Sequence, residues 1–343
     1  GGSPRGEPLS HLCRRSSPGI GAPMKTKAVL NSLLAVVLVG LLVTPHPTSA
    51  RPPAQQNLPG SPTVIRVSSN LVMVPVSVTD ASGRSVNNLT VTDFKVEEDE
   101  KPEPIANLAE PGQTPLDLVL LFDISGSVNP RFGFEQQAAT HFLERVIKQE
   151  DQVSILAIGA EPELVQNITG KLSLALDSLR RLEPTKGMTA FYDAVVQAAQ
   201  MLRKAASPGA RRVEVVISDG EDNNSEHFQL TDALREVQRA DCIFYAINPA
   251  GPSISLNALS LRGQQGMKSL ADETGGWVFL PDGLAELEGI FARISDELRA
   301  QYLLEYYSSN TRTNGEFRRI VVTVPGRAGL RIRARQGYYA PLG

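Results

Sequence analysis

The chain has 343 residues, 41% hydrophobic and 21% charged, the make-up of an ordinary globular protein with room for one large or two modest domains. Its formal net charge of −3 provides no global attraction to nucleic acid or to an anionic membrane surface. Cys13 and Cys242 are the two cysteines, which excludes a disulfide scaffold, and Cys242 opens the apolar run 242–247 as a buried core thiol would.

Residues 1–23 are rich in Gly, Pro, Ser and Arg and precede Met24, which reads as the true start, with 1–23 a misassigned upstream extension. Met24-Lys25-Thr26-Lys27, the apolar stretch 28–43 and the small residues Thr48-Ser49-Ala50 make the pattern of a secretory signal over 24–50. The stretch is shorter than the ~20 residues of a spanning helix. Cleavage near Arg51 and export to the periplasm, cell surface or medium are therefore expected. A retained signal anchor is the alternative and the one membrane contact the sequence offers. Residues 51–63, with Pro52, Pro53, Pro59 and Pro62, form a flexible leader.

Residues 64–110 make a small β-rich region. Residues 64–78 alternate as a strand does, with Val72, Val74, Val76 and Val78 on one face. A turn at 80–83 and a further strand at 94–98 follow. From Pro115 to residue 300 strands alternate with helices, the rhythm of a mostly parallel sheet. Strands are expected at 117–123, 152–159, 212–218, 242–248 and 276–280. Helices are expected near 133–148, 171–182, 190–206, 229–240, 264–274 and 284–300, with 163–168 returning as an antiparallel edge strand. In the last helix Leu284, Leu287, Ile290, Phe291, Ile294 and Leu298 form one apolar face. Residues 301–341 revert to strand character at 301–307, 317–324 and 330–339. There Arg331, Arg333 and Arg335 alternate with Leu330, Ile332 and Ala334, which predicts a solvated cationic strand face, or alternatively a strip for an anionic polymer or a partner's acidic patch. Neither flank is sufficient alone, so the terminal strands are expected to pack with 64–110 as one β unit, the α/β domain being inserted between them.

The chemistry lies where the first strand of the α/β domain ends. The apolar run 118–122 stops at Asp123, followed by Ser125 and Ser127. A carboxylate and two hydroxyls at such a strand end suit a hard, oxygen-seeking cation, and magnesium in particular keeps several waters rather than a full carboxylate cage. Two neutral hydroxyls neutralise none of its charge, so the ion stays open to an acidic ligand from outside, which favours adhesion over catalysis. Thr189 stands just ahead of a helical run, and the second apolar strand, 213–218, ends in Asp219, Gly220, Glu221 and Asp222. In an open α/β sheet, loops at the carboxyl ends of neighbouring strands converge on a ligand. Taken singly, Ser, Thr and Asp here are helix caps and turn formers; the three segments together favour a cation.

In order and context, Asp123-Ile124-Ser125-Gly126-Ser127, Thr189 and Asp219 resemble the metal-ion-dependent adhesion site of von Willebrand factor type A domains. The flanks, Asn87, Leu89 and Thr90 with 93–99, then 301–306 and 336–341, are similar to those of secreted bacterial von Willebrand factor A-related domain proteins. The resemblance runs over about residues 64–341. It implies a Rossmann-like α/β domain with a mostly parallel central sheet flanked by helices, plus a small β-rich region from the two flanks. It also implies Ser125, Ser127 and Thr189 as hydroxyl ligands, with Asp123 and Asp219 holding the ion directly or through waters. The ion would be Mg2+, with Mn2+ or Ca2+ as substitutes, and a protein partner's Asp or Glu would complete its shell. Asn129, Arg131 and Phe132, which follow Ser127, and Glu221, Asp222 and Asn223, which follow Asp219, are the candidate partner-contacting rim; the alternatives are that apolar residues there pack under the loop and that the acidic residues form a solvated turn.

Enzyme readings find little support. His11 and His46 fall in the segments expected to be removed, and His141 and His227 have no zinc-site spacing with Cys or carboxylate. No Gly-x-Ser-x-Gly, Gly-x4-Gly-Lys-Ser/Thr or Gly-x-Gly-x-x-Gly segment occurs. The sequence thus predicts a non-enzymatic, exported, cation-dependent protein-binding module. The alternative is a structural envelope protein whose β face and arginines hold cell-wall polymer, the metal serving stability; a metal-assisted hydrolase is a distant third.

Overall fold

Two flanking β segments and an inserted α/β domain account for the residues that the computed structural model describes, 71–126, 131–251 and 257–342. All of these lie in one unit, residues 66–343. The expectations for the signal segment and the leader, and those for Ser127 and Asn129, lie outside the described residues. Among the described residues no helix is long and apolar enough to cross a membrane.

The N-terminal flank gives β1 (Leu71–Thr79), β2 (Lys95–Glu98), β3 (Lys101–Glu103) and β4 (Ile105–Ala109). The C-terminal flank gives β11 (Tyr302–Tyr307), β12 (Phe317–Thr323), β13 (Arg331–Ala334) and β14 (Gly337–Tyr339). They interleave in two four-stranded sheets, β13-β1-β11-β4 and β14-β12-β2-β3, so each sheet contains strands from both flanks. The alternation in β1 places Val72, Val74, Val76 and Val78 in the core between them, with Phe94, Val96, Tyr302, Leu304, Tyr306, Ile320 and Tyr338. Glu98, 2% exposed, sits inside this core because it accepts hydrogen bonds from Tyr306 Oη (2.8 Å), Tyr338 Oη (3.0 Å) and Ser308 Oγ (2.7 Å) and faces Arg318. Tyr306 and Tyr338 are therefore core anchors for a buried carboxylate.

The inserted domain runs β5 (Leu116–Asp123), α1 (Phe132–Val146), β6 (Gln152–Ile158), β7 (Pro162–Thr169), α2 (Leu172–Arg180), α3 (Phe191–Ala205), β8 (Arg211–Ile217), α4 (Leu230–Arg239), β9 (Cys242–Ile247), α5 (Ala258–Thr274), β10 (Val278–Phe279) and α6 (Leu287–Ala300). Its six-stranded sheet has the order β10-β9-β8-β5-β6-β7, parallel except for the edge strand β7. Every residue of β5 is buried, as a strand covered by helices on both faces must be. Leu118, Leu120 and Phe122 face the layer of α1, α2 and α6, while Val119 and Leu121 face α3, α4 and α5. Cys242 is a free, buried thiol.

Two expectations change. Helix α5 begins at Ala258 rather than near 264, because the Asn257 side chain caps it by accepting from Leu259 N (2.9 Å) and Ser260 N (2.8 Å). Gly263 and Gly266 had masked its helical periodicity. The arginine strip of β13 is also not a free cationic face. Arg333 is ion-paired with buried Glu297 of α6 and stacks over Trp277, and Arg335 pairs with Asp241 and stacks over Tyr338. These two side chains fasten the β unit to the α/β domain; of the three, Arg331 alone is classed as exposed.

Candidate metal-ion centre

Following β5 the chain runs to β6 and β7 on one side of the sheet, then crosses to β8, β9 and β10 on the other. The loops after β5 and β8 therefore part at a topological switch point, the place where an open α/β sheet forms a ligand crevice. Asp123 ends β5, and Ser218 and Asp219 follow β8. Asp123 is 1% exposed, with Oδ1 accepting from Ser125 N (2.8 Å) and Oδ2 from Ser218 Oγ (2.6 Å). The loop ahead of α3 is fastened to the same edge. Thr185 donates to Ile124 O from its backbone N (2.6 Å) and its Oγ1 (2.9 Å), and Gly126 N donates to Gly187 O (3.4 Å).

Thr189, 3% exposed, is held by the third loop: its N donates to Asn223 Oδ1 (2.8 Å), while Asn223 N and Asn224 N donate to its carbonyl (3.1 and 3.0 Å). Asp219 Oδ1 accepts from Glu221 N (3.0 Å). Asp123, Ser125, Thr189 and Asp219 are thus carried on three mutually bonded loops at one end of the sheet. The β8 loop is pressed against α5 with no side chain between them. Gly220 has φ +75°, and a Cβ built on Gly263 would lie 2.4 Å from Gly220 O. Only glycine at both positions lets the loop reach this place.

Burial pushes the Asp123 carboxyl up to about 6, and the Asp219 charge adds to the shift against the bonds from Ser218 and Ser125. Glu135, in the first turn of α1, is pushed by burial up to about 8; Arg131 opposes the shift, and the charges of Asp123 and Asp219 add to it. This end of the sheet therefore gathers acidic groups that repel one another, with Arg131 as a partial counter-charge, a condition that a bound cation would relieve. Among the described residues no group of three or more His, Cys, Asp or Glu is placed to hold a metal ion. The oxygen donors these loops carry are the hydroxyls of Ser125 and Thr189 and the carboxylates of Asp123 and Asp219, a hard-oxygen set that would suit Mg2+ and not zinc.

The rim differs from expectation. Phe132 is 6% exposed and meets Phe122 edge-on at 5.4 Å, because the first turn of α1 packs down onto β5; it is a core residue, packed under the loop. Asp222 Oδ1 accepts from Phe191 N (2.9 Å) and Ser225 Oγ (2.5 Å), so it caps α3, and Asn223 braces Thr189. Both are held within the loop structure. Glu221 accepts from Ser260 Oγ and ties the loop to α5, and Arg131 donates to Pro249 O (2.7 Å). Met188, 53% exposed beside Thr189, is a further candidate for the rim that the sequence did not single out; its place next to a candidate hydroxyl ligand was the available signal.

The raised carboxyls give a pH dependence. A carboxyl whose folded pKa lies above its unfolded one stabilises the fold fully below the unfolded value, and that stability is lost as pH rises through the folded value. For Asp123 and Glu135 the window runs from about 4 to about 8. With chelator present, the melting midpoint is expected to be several degrees lower at about pH 8.5 than at about pH 5 by scanning calorimetry. An equal or higher midpoint at the alkaline pH would contradict it.

Residues 118–221 match the family model of the von Willebrand factor type A domain. Comparison with curated proteins gives no match. Among solved structures, the chain is similar to the conserved hypothetical protein BatB from Bacteroides thetaiotaomicron (18% identity, 53% of this chain and 98% of that one, TM-score 0.43). It is similar also to the vWF domain of the type V pili tip protein Mfa5 from Porphyromonas gingivalis (12%, 55% and 95%, TM-score 0.44) and to a von Willebrand factor type A protein from Catenulispora acidiphila (12%, 81% and 75%, TM-score 0.46). The stretch that matches the family model lies within the α/β domain inserted between the two β flanks, from β5 to the loop after β8 of its mostly parallel sheet.

Proposed function

We propose that this chain is an exported, non-enzymatic binding module that uses a divalent cation, Mg2+ in the first instance, to capture an acidic residue of a protein partner. The observation that carries this reading is the meeting of Asp123, Ser125, Thr189 and Asp219 on three loops bonded to each other at the sheet's switch point. Ser125 and Thr189, with Ser127 as the sequence predicts, would hold the ion by hydroxyls, and Asp123 and Asp219 directly or through water. Bound there, the ion supplies an electropositive, incompletely filled coordination position for a carboxylate. The hydrogen bonds among the three loops hold them in place. Export rests on the pattern of residues 24–50.

The alternative, a β face whose arginines grip an anionic wall polymer, is weakened by the internal pairing of Arg333 and Arg335. The test is capture of envelope proteins by the full chain with Mg2+, with chelator, and with Asp123→Ala/Ser125→Ala. Capture that needs both the metal and these side chains, in a variant that still folds, supports binding through the ion. Capture indifferent to chelator would overturn it.

A further inference from the structure

Glu135 is 1% exposed, yet neither carboxyl oxygen has a hydrogen-bond partner. Buried polar groups are almost always paired, and an exception calls for an absent water or ion. Two other buried carboxylates meet that rule: Glu98 and Glu297 are surrounded by hydroxyl and guanidinium donors. Glu214 also lacks partners, but it lies in the middle of β8 beside Cys242, away from the strand ends. Glu135 differs in position. It stands on the first turn of the helix that follows the Asp123 loop, where the charges of both Asp123 and Asp219 act on its carboxyl. The nearby guanidinium of Arg131 is directed to Pro249 O and leaves it unpaired.

We propose that Glu135 is an outer, positioning member of the cation centre, its carboxyl accepting a hydrogen bond from a water in the ion's hydration shell. The proposal deepens the reading above and rests on it. Contact through water, and not direct ligation, fits the finding that among the described residues no three acidic groups are placed to hold an ion. It also fits a cation that keeps several waters. Partners of this kind orient the shell, and losing one typically lowers metal affinity 10–100-fold.

The test is Mn2+ titration of the full chain, followed by the electron paramagnetic resonance of the free ion and the relaxation of water protons by the bound one. Wild type, Glu135→Leu, Glu135→Gln and Asp123→Asn are compared, and each is also melted without metal. Glu135→Leu is expected to melt higher than wild type without metal, because an unpaired buried acid is removed, and yet to bind Mn2+ 10–100-fold more weakly. Its bound ion should show altered water relaxation. Glu135→Gln keeps an acceptor and should lose less affinity; it carries the test if the leucine variant does not fold. Wild-type affinity and relaxation in both variants, with Asp123→Asn unable to bind, would overturn the role of Glu135 alone. No Mn2+ binding by wild type would overturn the cation centre itself.

Discussion

Asp123→Asn is expected to lower Mg2+ or Mn2+ affinity at least ~100-fold without unfolding the protein. Asparagine keeps the size of the side chain and an acceptor for Ser125 N, which now reaches Asp123 Oδ1 at 2.8 Å. What it removes is the negative charge at the end of the central strand. That charge is held in a buried place, with the Asp219 charge beside it. Without a cation this is unfavourable, so the variant's metal-free melting midpoint should equal or exceed wild type. Isothermal titration calorimetry and calorimetric melting measure the two quantities. Wild-type affinity in the variant would mean that the ion, if bound, sits elsewhere.

Glu297→Ala is expected to be the most destabilising single change, about 3 kcal/mol or more, with a melting midpoint lower by roughly 6–12 °C. Glu297, near the end of α6, accepts from Ser77 Oγ of β1 (3.0 Å) and Tyr245 Oη of β9 (2.5 Å) and pairs with Arg333 of β13. Gln301 extends the cluster, donating to Ser77 Oγ (3.1 Å) and Tyr245 Oη (3.2 Å), while Arg211 of β8 donates to Gln301 Oε1 (3.1 Å). Alanine would strand these donors in a buried place, and the cost of unpaired buried groups exceeds that of a lost contact. An unchanged midpoint in thermal or urea unfolding would contradict the account. The same cluster bears on movement. Helix α6 runs directly into β11, so a shift of α6 would carry the β unit with it, but only by breaking this network. Hydrogen-exchange protection over 284–307 that is equal with and without metal and ligand would argue against such coupling.

The α/β domain was legible because burial on both faces leaves a plain trace. Strands such as β5, with every residue apolar except Asp117 and Asp123, cannot be mistaken for amphipathic helices at that length. The strand-end motif was legible too, since it interrupts such a run with Asp, Ser and Ser. The β flanks were readable as strands from the Val72 to Val78 alternation, but the interleaving of β1 and β11 in one sheet depends on long-range pairing. At Phe132 a loop position and the first turn of a helix look alike in sequence, and the packing against Phe122 appears only in three dimensions. The arginines of β13 alternate like a solvated face, and their carboxylate partners, Glu297 and Asp241, lie far away in sequence. Glu135 left no signal at all. A glutamate in the first turn of a helix is an ordinary dipole partner, and its burial beside two other acids appears only in three dimensions.

The central claim is that the three loops hold a divalent cation with a position open to a carboxylate. Water-proton relaxation by Mn2+ added to the full chain tests both halves at once. The account predicts enhanced relaxation on binding, lost with chelator or with Asp123→Asn, and a fall when an aspartate-containing peptide displaces water from the bound ion. Relaxation equal to that of free Mn2+ at all protein concentrations, or enhancement that an acidic peptide leaves untouched, would contradict it.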